Sequence, residues 1–418
     1  MSADRNEKLR LFPLQAGFAL LIVAGPCFFG AVDAWASMFL ASAIFLLFFL
    51  YPECILKVDD CPRVFLVGIG LIFLLVFFQA FITSMNPYAT RTEFLKGSAW
   101  AAGFLLIQLF PPSPLVFFMC LLAILGAFES AYGLFQVSSK LEKVLWEAKT
   151  AHLGFVTGTY FNRNHLAGLL ELCLGVHLGL WFSAFRSRHR LSILGWGLLF
   201  LVSFLGFLKT GSRMGIVSFA LSFLFFSSLY LFGRERKAFL LFLVCVLSVI
   251  SIVSWFGMGV MALRFEAFAR HWITWEGRLF VWQDTLAMIR EHFWWGTGLG
   301  TFEWSFPAYQ SERLFRGWAH AHNDYLELAA ELGIPGFLLL FFSGAYLFLN
   351  LIKQWLSSNG YESGLVWGGF VGAGALLLHG FTDFNFAVPA NAMMFIFVLA
   401  LITGLLKQSR TGIAEANG

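Results

Sequence analysis

Residues 319–336 read AHAHNDYLELAAELGIPG and place a polar, histidine-bearing segment directly before a long apolar run. Asparagine caps helix N-termini and glycine followed by proline marks helix ends, so Asn323, Gly333 and Pro335 predict a helix over residues 324–332. The segment lies where a membrane-spanning chain is expected to re-enter the bilayer. We therefore expect the rest of the chain to be arranged around this short helix.

His322 falls just outside the N-terminus of this predicted helix, where the partial positive charge of the helix disfavours an imidazolium. A neutral imidazole accepts a proton, so His322 is a candidate general base. Two alternatives stay open: His322 only satisfies backbone groups at the helix cap, or His320 is the functional histidine. One face of the same helix carries the carboxylates Asp324, Glu327 and Glu331.

The composition is that of a membrane protein with many spans. Of 418 residues, 59% are hydrophobic and 12% are charged, and the mean hydropathy is +0.76. The net charge of +4 is small and dispersed over short loops, which argues against nucleic acid as a partner. The expected environment is a lipid bilayer.

The sequence predicts an all-α integral membrane protein with about 12 transmembrane helices, since a span needs roughly 20 apolar residues. The candidate spans are 12–31, 36–52, 64–84, 97–110, 115–137, 164–185, 191–209, 214–232, 238–260, 335–352, 363–380 and 388–406. The chain then divides into nine spans over residues 1–260, a large loop over 261–334, and three spans with a tail over 335–418.

Clusters of Lys and Arg in short loops mark the cytoplasmic side, and the clearest are RSRHR at 186–190 and GRERK at 233–237. With an even number of spans both termini are cytoplasmic, and the loop 261–334 lies on the outer face. The apolar run after the charged N-terminus lacks a small-residue cleavage site, so we interpret it as the first span rather than a removed signal peptide.

The outer loop is rich in tryptophan and arginine, because residues 261–333 hold seven Trp, six Arg and no Lys. Guanidinium groups bind phosphate through paired hydrogen bonds, so this bias favours a diphosphate ligand. The tryptophans either anchor the loop at the headgroup level or stack on sugar rings.

Two arginines are predicted to begin helices on the outer face: Arg213 in TGSRMG and Arg278 in WEGRLFVW. A helix N-terminus already favours anions, so both are candidates for binding a diphosphate. The alternative for Arg213 is an arginine that extends to the lipid headgroups.

Two further polar clusters are predicted at the outer ends of spans. NRNH contains Arg163, Asn164 and His165, which form a second phosphate-binding site or only a helix cap. HGFTDFNF contains Asp383, which orients His322, binds an acceptor hydroxyl, or only forms a turn.

Other signals point away from metals and nucleotides. GTGLG at 296–300 is glycine-rich, but no strand precedes it, so a dinucleotide site is not predicted. The chain has no HExxH, CxxC or P-loop motif. We expect no metal and no cofactor.

Six segments together resemble the O-antigen ligase and polymerase family of bacterial membrane glycosyltransferases. The spacing of His322, Asn323, Gly333 and Gly336 matches the family's signature, and the resemblance runs from about residue 158 to 392. The segments are TGTYFNRNHLAGLLEL, TGSRMGIVSF, GRLFVWQDTLAMI, WWGTGLGTF, HAHNDYLELAAELGIPG and HGFTDFNFAVPA.

The resemblance implies a fold of the GT-C type in the bacterial inner membrane. It implies an undecaprenyl-diphosphate-linked glycan as donor, lipid A-core or another glycan as acceptor, and metal-independent transfer on the periplasmic face. It assigns the functional core to His322, Arg213 and Arg278, with Asp383 in support. Family members act as ligases, as polymerases or as protein O-glycosyltransferases.

On this hypothesis His322 removes the proton from an acceptor hydroxyl, and the arginines stabilise the departing diphosphate. Two other classes of function stay open. One is a transporter of an anionic solute, which would place charged groups near the middle of the bilayer. The other is a non-catalytic scaffold for polysaccharide assembly.

Overall fold

A computed structural model describes residues 2–233, 236–248, 250–251, 273–358 and 362–417. Its helices are α1 (Ser2–Cys27), α2 (Ala34–Leu50), α3 (Arg63–Phe78), α4 (Pro87–Ile107), α5 (Pro112–Ser138), α6 (Arg163–Arg186), α7 (Arg190–Thr210), α8 (Arg213–Gly233), α9 (Ile273–Glu291), α10 (Phe302–Ser305), α11 (Asp324–Ser357), α12 (Glu362–His379) and α13 (Pro389–Asn417). Residues 236–248 are also helical. The strands β1 (Lys143–Val144) and β2 (Glu147–Ala148) form an antiparallel pair.

Short helical turns join several of these elements. Three 3-10 turns span Phe29–Ala31, Pro52–Asp60 and Phe306–Ala308, and a π turn, Gln79–Thr83, extends α3. The expected all-α architecture is therefore confirmed for the described residues.

Asparagine caps begin three of the helices. Asn86 accepts a hydrogen bond from the Ala89 amide in α4, and Asn162 accepts one from the Asn164 amide in α6. At α11 the Asn323 side chain accepts from two amides, both at 3.1 Å. These bonds satisfy donors that a helix N-terminus otherwise leaves free, so the chain begins each helix at a defined residue.

Helix α6 is the buried centre of the bundle, and α12 packs directly against it. Glycines make the approach close, since a Cβ added at Gly179 would lie 2.9 Å from the Gly364 carbonyl oxygen. At Gly372 an added Cβ would lie 2.8 Å from the Leu172 carbonyl oxygen. Small residues of this kind let membrane helices touch backbone to backbone. The packing brings the N-terminal end of α6 and the C-terminal end of α12 together.

Eight helices among the described residues are long and apolar enough to cross a membrane. They correspond to eight of the twelve predicted spans, and the second predicted span matches the bent pair Ala34–Leu50 and Pro52–Val58. Helices α4 and α12 lie at the fourth and eleventh predicted spans but are not among the eight. The ninth, 238–260, is described only over residues 238–248 and 250–251. The chain is a multi-pass membrane protein.

Helix α11 is broken where the sequence predicts its first helix to end. Gly333 has φ 70° and ψ 164°, and the helix resumes immediately afterwards. The glycine-rich loop docks at this break, because the amides of Thr297 and Gly298 donate to the carbonyls of Ala330 and Glu331 at 3.1 and 3.0 Å. The GTGLG loop therefore supplies hydrogen-bond donors to the last carbonyls of the first part of α11, which lack donors within the helix.

Candidate active site

His322 lies in the loop directly before α11, where the Asn323 cap fixes the chain. Its backbone adopts φ 51°, an uncommon conformation for a non-glycine residue. Its Nδ1 lies 3.3 Å from Oδ1 of Asp383, and its ring packs edge-on against Trp318 and Phe384. The imidazole is therefore held by a carboxylate and two rings while part of it stays accessible to solvent.

Asp383 is buried in the turn between α12 and α13, and groups from three elements meet at its carboxylate. Asn164 of α6 donates to Oδ2 at 2.6 Å, and Nη2 of Arg278 lies 4.0 Å from the same oxygen. Burial alone raises the pKa of this carboxyl, but the hydrogen bond with His322 and the Arg278 charge outweigh burial and lower it. Asp383 is therefore an anion beside His322.

The prediction that Arg278 begins a helix is wrong, because α9 already starts at Ile273 and Arg278 lies in its second turn. Arg278 is held against the Asp383 turn, since its Nη1 donates to the Thr382 carbonyl oxygen at 2.6 Å. Arg213 begins α8, and the first turn of α8 packs against the residue that starts the Asp383 turn, since a Cβ added at Gly215 would lie 3.3 Å from Cε1 of His379. Two guanidinium groups thus lie near one helix N-terminus, an arrangement that suits an anion. The structure brings His322, Arg278 and Asp383 into contact with one turn.

Arg163 uses Nη1 to donate to the carbonyls of Thr210 and Gly211 at 3.3 and 3.2 Å. Its guanidinium also lies over the ring of Phe155, 4.5 Å from the centroid. These contacts bind Arg163 to the turn that precedes Arg213. A direct role for Arg163 in diphosphate binding stays a prediction.

Phe384 is surrounded by three histidine rings. His320 stacks on it with centroids 4.2 Å apart, while His165 and His322 each approach it edge-on at 4.7 Å. Nε2 of His165 lies 3.2 Å from Nδ2 of Asn162. His165 therefore packs against the same ring as His322. Any contact of His165 with a phosphate stays a prediction.

His320 is paired with a carboxylate of α11. Its Nδ1 lies 2.7 Å from Oε1 of Glu327, whose other oxygen accepts from the Ala321 amide at 2.8 Å. Burial lowers the pKa of His320, but the Glu327 charge and hydrogen bond outweigh burial and raise it. The pair fixes the loop that leads to His322.

The carboxylate face of α11 is buried against a cavity of about 360 Å³. The cavity lies between α4, α10 and the turn before α13, and its ionisable lining groups are Glu93, Lys96, Glu303, His320, Asp324, Glu327 and Glu331. Acids outnumber bases in this lining. His320 connects the cavity to the site, because it lines the cavity and stacks on Phe384, which contacts His322.

Sequence reasoning did not single out Glu171 and His379, which meet beneath the Asp383 turn. Nδ1 of His379 lies 2.8 Å from Oε1 of Glu171, and both side chains are buried. Glu171 is a lone carboxylate in the predicted span 164–185, and an ionisable residue inside a span is a signal worth following. Phe384 was also missed, because its role depends on which histidines surround it.

Among the described residues, no three His, Cys, Asp or Glu side chains form a group suited to a metal ion.

Residues 198–341 match the family model described as O-Antigen ligase. The matched segment contains Arg213, Arg278 and His322 and ends before Asp383. No curated protein matches the chain.

Proposed function

We propose that this chain, whose match supports membership of the O-antigen ligase and polymerase family, is a membrane glycosyltransferase with a GT-C-type fold. It takes a glycan from undecaprenyl diphosphate and transfers it to an acceptor sugar hydroxyl. The reaction takes place at the periplasmic face of the bacterial inner membrane, with both termini in the cytoplasm. The observation that carries the proposal is the meeting of His322, Asp383 and Arg278 at one turn.

In the proposed reaction His322 acts as general base. Asp383 holds Nδ1–H, which leaves Nε2 free to take the proton from the acceptor hydroxyl. The hydroxyl oxygen attacks the anomeric carbon, the bond from that carbon to the diphosphate oxygen breaks, and the configuration inverts. Base catalysis of this kind contributes about 10²- to 10⁴-fold to the rate.

Arg213 and Arg278 bind the diphosphate and stabilise the negative charge that grows as it leaves. Support comes from the helix N-terminus at Arg213 and from the nearby charge of Arg278. Two guanidinium groups would here supply the positive charge that a divalent cation supplies in metal-dependent enzymes.

The acceptor glycan is proposed to extend from His322 into the cavity beside His320. Carboxyl groups accept hydrogen bonds from sugar hydroxyls, and five of them line the cavity. The cavity size lies within the usual range of small-ligand sites, about 300–1,000 Å³. Donor and acceptor would thus bind on opposite sides of Phe384.

The direct test uses purified full-length protein in nanodiscs with an undecaprenyl-diphosphate-linked oligosaccharide. The acceptor is lipid A-core in one arm and a second molecule of donor in the other. Transfer in the first arm indicates a ligase, and chain extension in the second indicates a polymerase. Absence of transfer in both arms, or transfer by His322→Ala at the wild-type rate, would refute the proposed mechanism.

One observation favours the alternative of a transporter. Glu171 and His379 pair inside the bundle, and Glu171 lies about 12 Å along α6 from its outer end. Interior ionisable pairs occur in transporters. Proteoliposomes that contain the protein and accumulate an anion such as bicarbonate, without any glycan transfer, would support this reading instead.

A further inference from the structure

The pair Glu171 and His379 is the most deeply buried pairing of ionisable side chains among the described residues of the bundle. His379 ends α12, Glu171 lies in the third turn of α6, and Nδ1 of His379 is 2.8 Å from Oε1 of Glu171. Burying two ionisable groups carries a desolvation cost, which close pairing recovers only in part. An apolar pair of similar size would fill the same space, so the pairing calls for a specific explanation.

His379 builds the turn that carries the site. Its carbonyl oxygen accepts hydrogen bonds from the amides of Thr382 and Asp383 at 2.9 and 3.2 Å. Thr382 in turn presents its carbonyl to Arg278, and Asp383 presents its carboxylate to His322. The position of His379 therefore sets the position of both groups.

Glu171 connects this turn to two other helices. It follows Asn164 by seven residues on α6, so the two side chains share one helix face, and Asn164 binds Asp383. On α8, a Cβ added at Gly215 would lie 2.9 Å from Oε1 of Glu171 and 3.3 Å from Cε1 of His379. Gly215 follows Arg213 by two residues, so the pair lies at the junction of α6, α8 and α12.

We propose that Glu171 and His379 are positioning residues, which hold the Asp383 turn against the N-terminus of α8 and so fix the distance between base and arginines. The pair touches no substrate and acts only through Asp383, Thr382 and Arg213. This inference rests on the proposed glycan transfer for its kinetic consequence, but the geometry of the turn can be tested without activity.

The kinetic test is a double-mutant cycle between Glu171→Ala and Asp383→Asn. Glu171→Ala alone should lower kcat by about tenfold with donor KM nearly unchanged, and it should add little once Asp383 is replaced. Glu171→Gln keeps an oxygen at the position that faces Nδ1 of His379, and it should restore most of the lost kcat. If Glu171 only stabilises the fold, the losses of kcat in the two single variants should multiply in the double variant.

A matched control is Glu129→Ala in α5. Glu129 is equally buried, and its carboxylate accepts from the amide and the hydroxyl of Thr159 at 2.8 and 2.7 Å. Glu129→Ala should destabilise the protein about as much as Glu171→Ala does. In the double variant, its effect on kcat should multiply with that of Asp383→Asn. If Glu129→Ala behaves like Glu171→Ala in the cycle, the proposal fails.

The activity-independent test measures modification of His322 by diethyl pyrocarbonate, followed by mass spectrometry of the His322 peptide. Asp383→Asn and Glu171→Ala should both raise the modification rate about tenfold, because each weakens the contact that occupies Nδ1, whereas Glu129→Ala should not. A rate in Glu171→Ala equal to that of wild type would overturn the positioning role. This outcome is informative even if the protein transfers no glycan.

Discussion

Two histidine–carboxylate pairs lie within a few residues of each other, and they differ in access to water. In the His322–Asp383 pair the imidazole is 23% exposed and the contact is 3.3 Å. In the His379–Glu171 pair the side chains are 1% and 0% exposed and the contact is 2.8 Å. A base must exchange protons with a ligand, whereas a positioning group must not move. On the proposed mechanism, one histidine–carboxylate pair thus acts as a base near the surface, and the other acts as a buried positioning group.

The largest effect is expected at the His322–Asp383 pair. His322→Ala removes the proposed base and should lower kcat by about 10²- to 10⁴-fold, while binding of the donor lipid stays close to that of wild type. The measurement is single-turnover transfer in nanodiscs, with donor binding followed separately. His292→Ala, directly after the end of α9, is the control. A larger loss in His379→Ala than in His322→Ala would reverse the comparison.

Arg278→Lys tests whether transfer at the His322–Asp383 pair depends on the guanidinium geometry of Arg278 or on its charge alone. Lysine keeps the charge but cannot form the paired hydrogen bonds of arginine, so kcat should fall about 10²-fold. Arg290→Lys, in the exposed last turn of the same helix, should retain activity. Equal activity of the two variants would show that Arg278 acts only as a point charge.

A smaller effect is expected from filling the cavity on the far side of Phe384. Ala387 is exposed and lines that cavity, and Ala387→Trp adds bulk without removing a polar group. The acceptor KM should rise about tenfold while the donor KM stays the same. Ala308→Trp, also exposed but outside the lining, is the control. An unchanged acceptor KM would place the acceptor elsewhere.

The smallest effect concerns a third pair, His320–Glu327, which is the most exposed of the three at 32% and 10%. Because the folded-state pKa of His320 is raised, its contribution to stability is fully present below the unfolded pKa of about 6.5 and is lost as pH rises through the folded value. Thermal unfolding in detergent should show that His320→Gln is less stable than wild type at pH 6, with the difference shrinking by pH 9. His189→Gln, at an exposed position between α6 and α7, should show no such trend.

The sequence was sufficient for features that depend on local chemistry. The Asn323 cap and the break at Gly333 follow from residue type and backbone preference, and the structure has both. Apolar run length likewise located eight spans. These features need no knowledge of which helices are neighbours.

Features that depend on helix packing were beyond the sequence. NRNH and HGFTD lie more than 200 residues apart, and they meet because glycines let α6 and α12 approach closely. The contact of Asn164 with Asp383 and the pairing of Glu171 with His379 follow from that approach. The sequence predicted a span at 97–110, but α4 begins ten residues earlier, at Pro87, in a stretch that holds Arg91, Glu93 and Lys96.

The docking of the glycine-rich loop on the break in α11 has a consequence for chimeric proteins. A Cβ added at Gly333 would lie 2.7 Å from the Trp294 carbonyl oxygen, and Thr297 and Gly298 donate to carbonyls just before the break. Grafting residues 294–300 from a relative without its counterpart of 330–333 should therefore displace the histidine-bearing loop. The two segments form one exchangeable module and should be transplanted together.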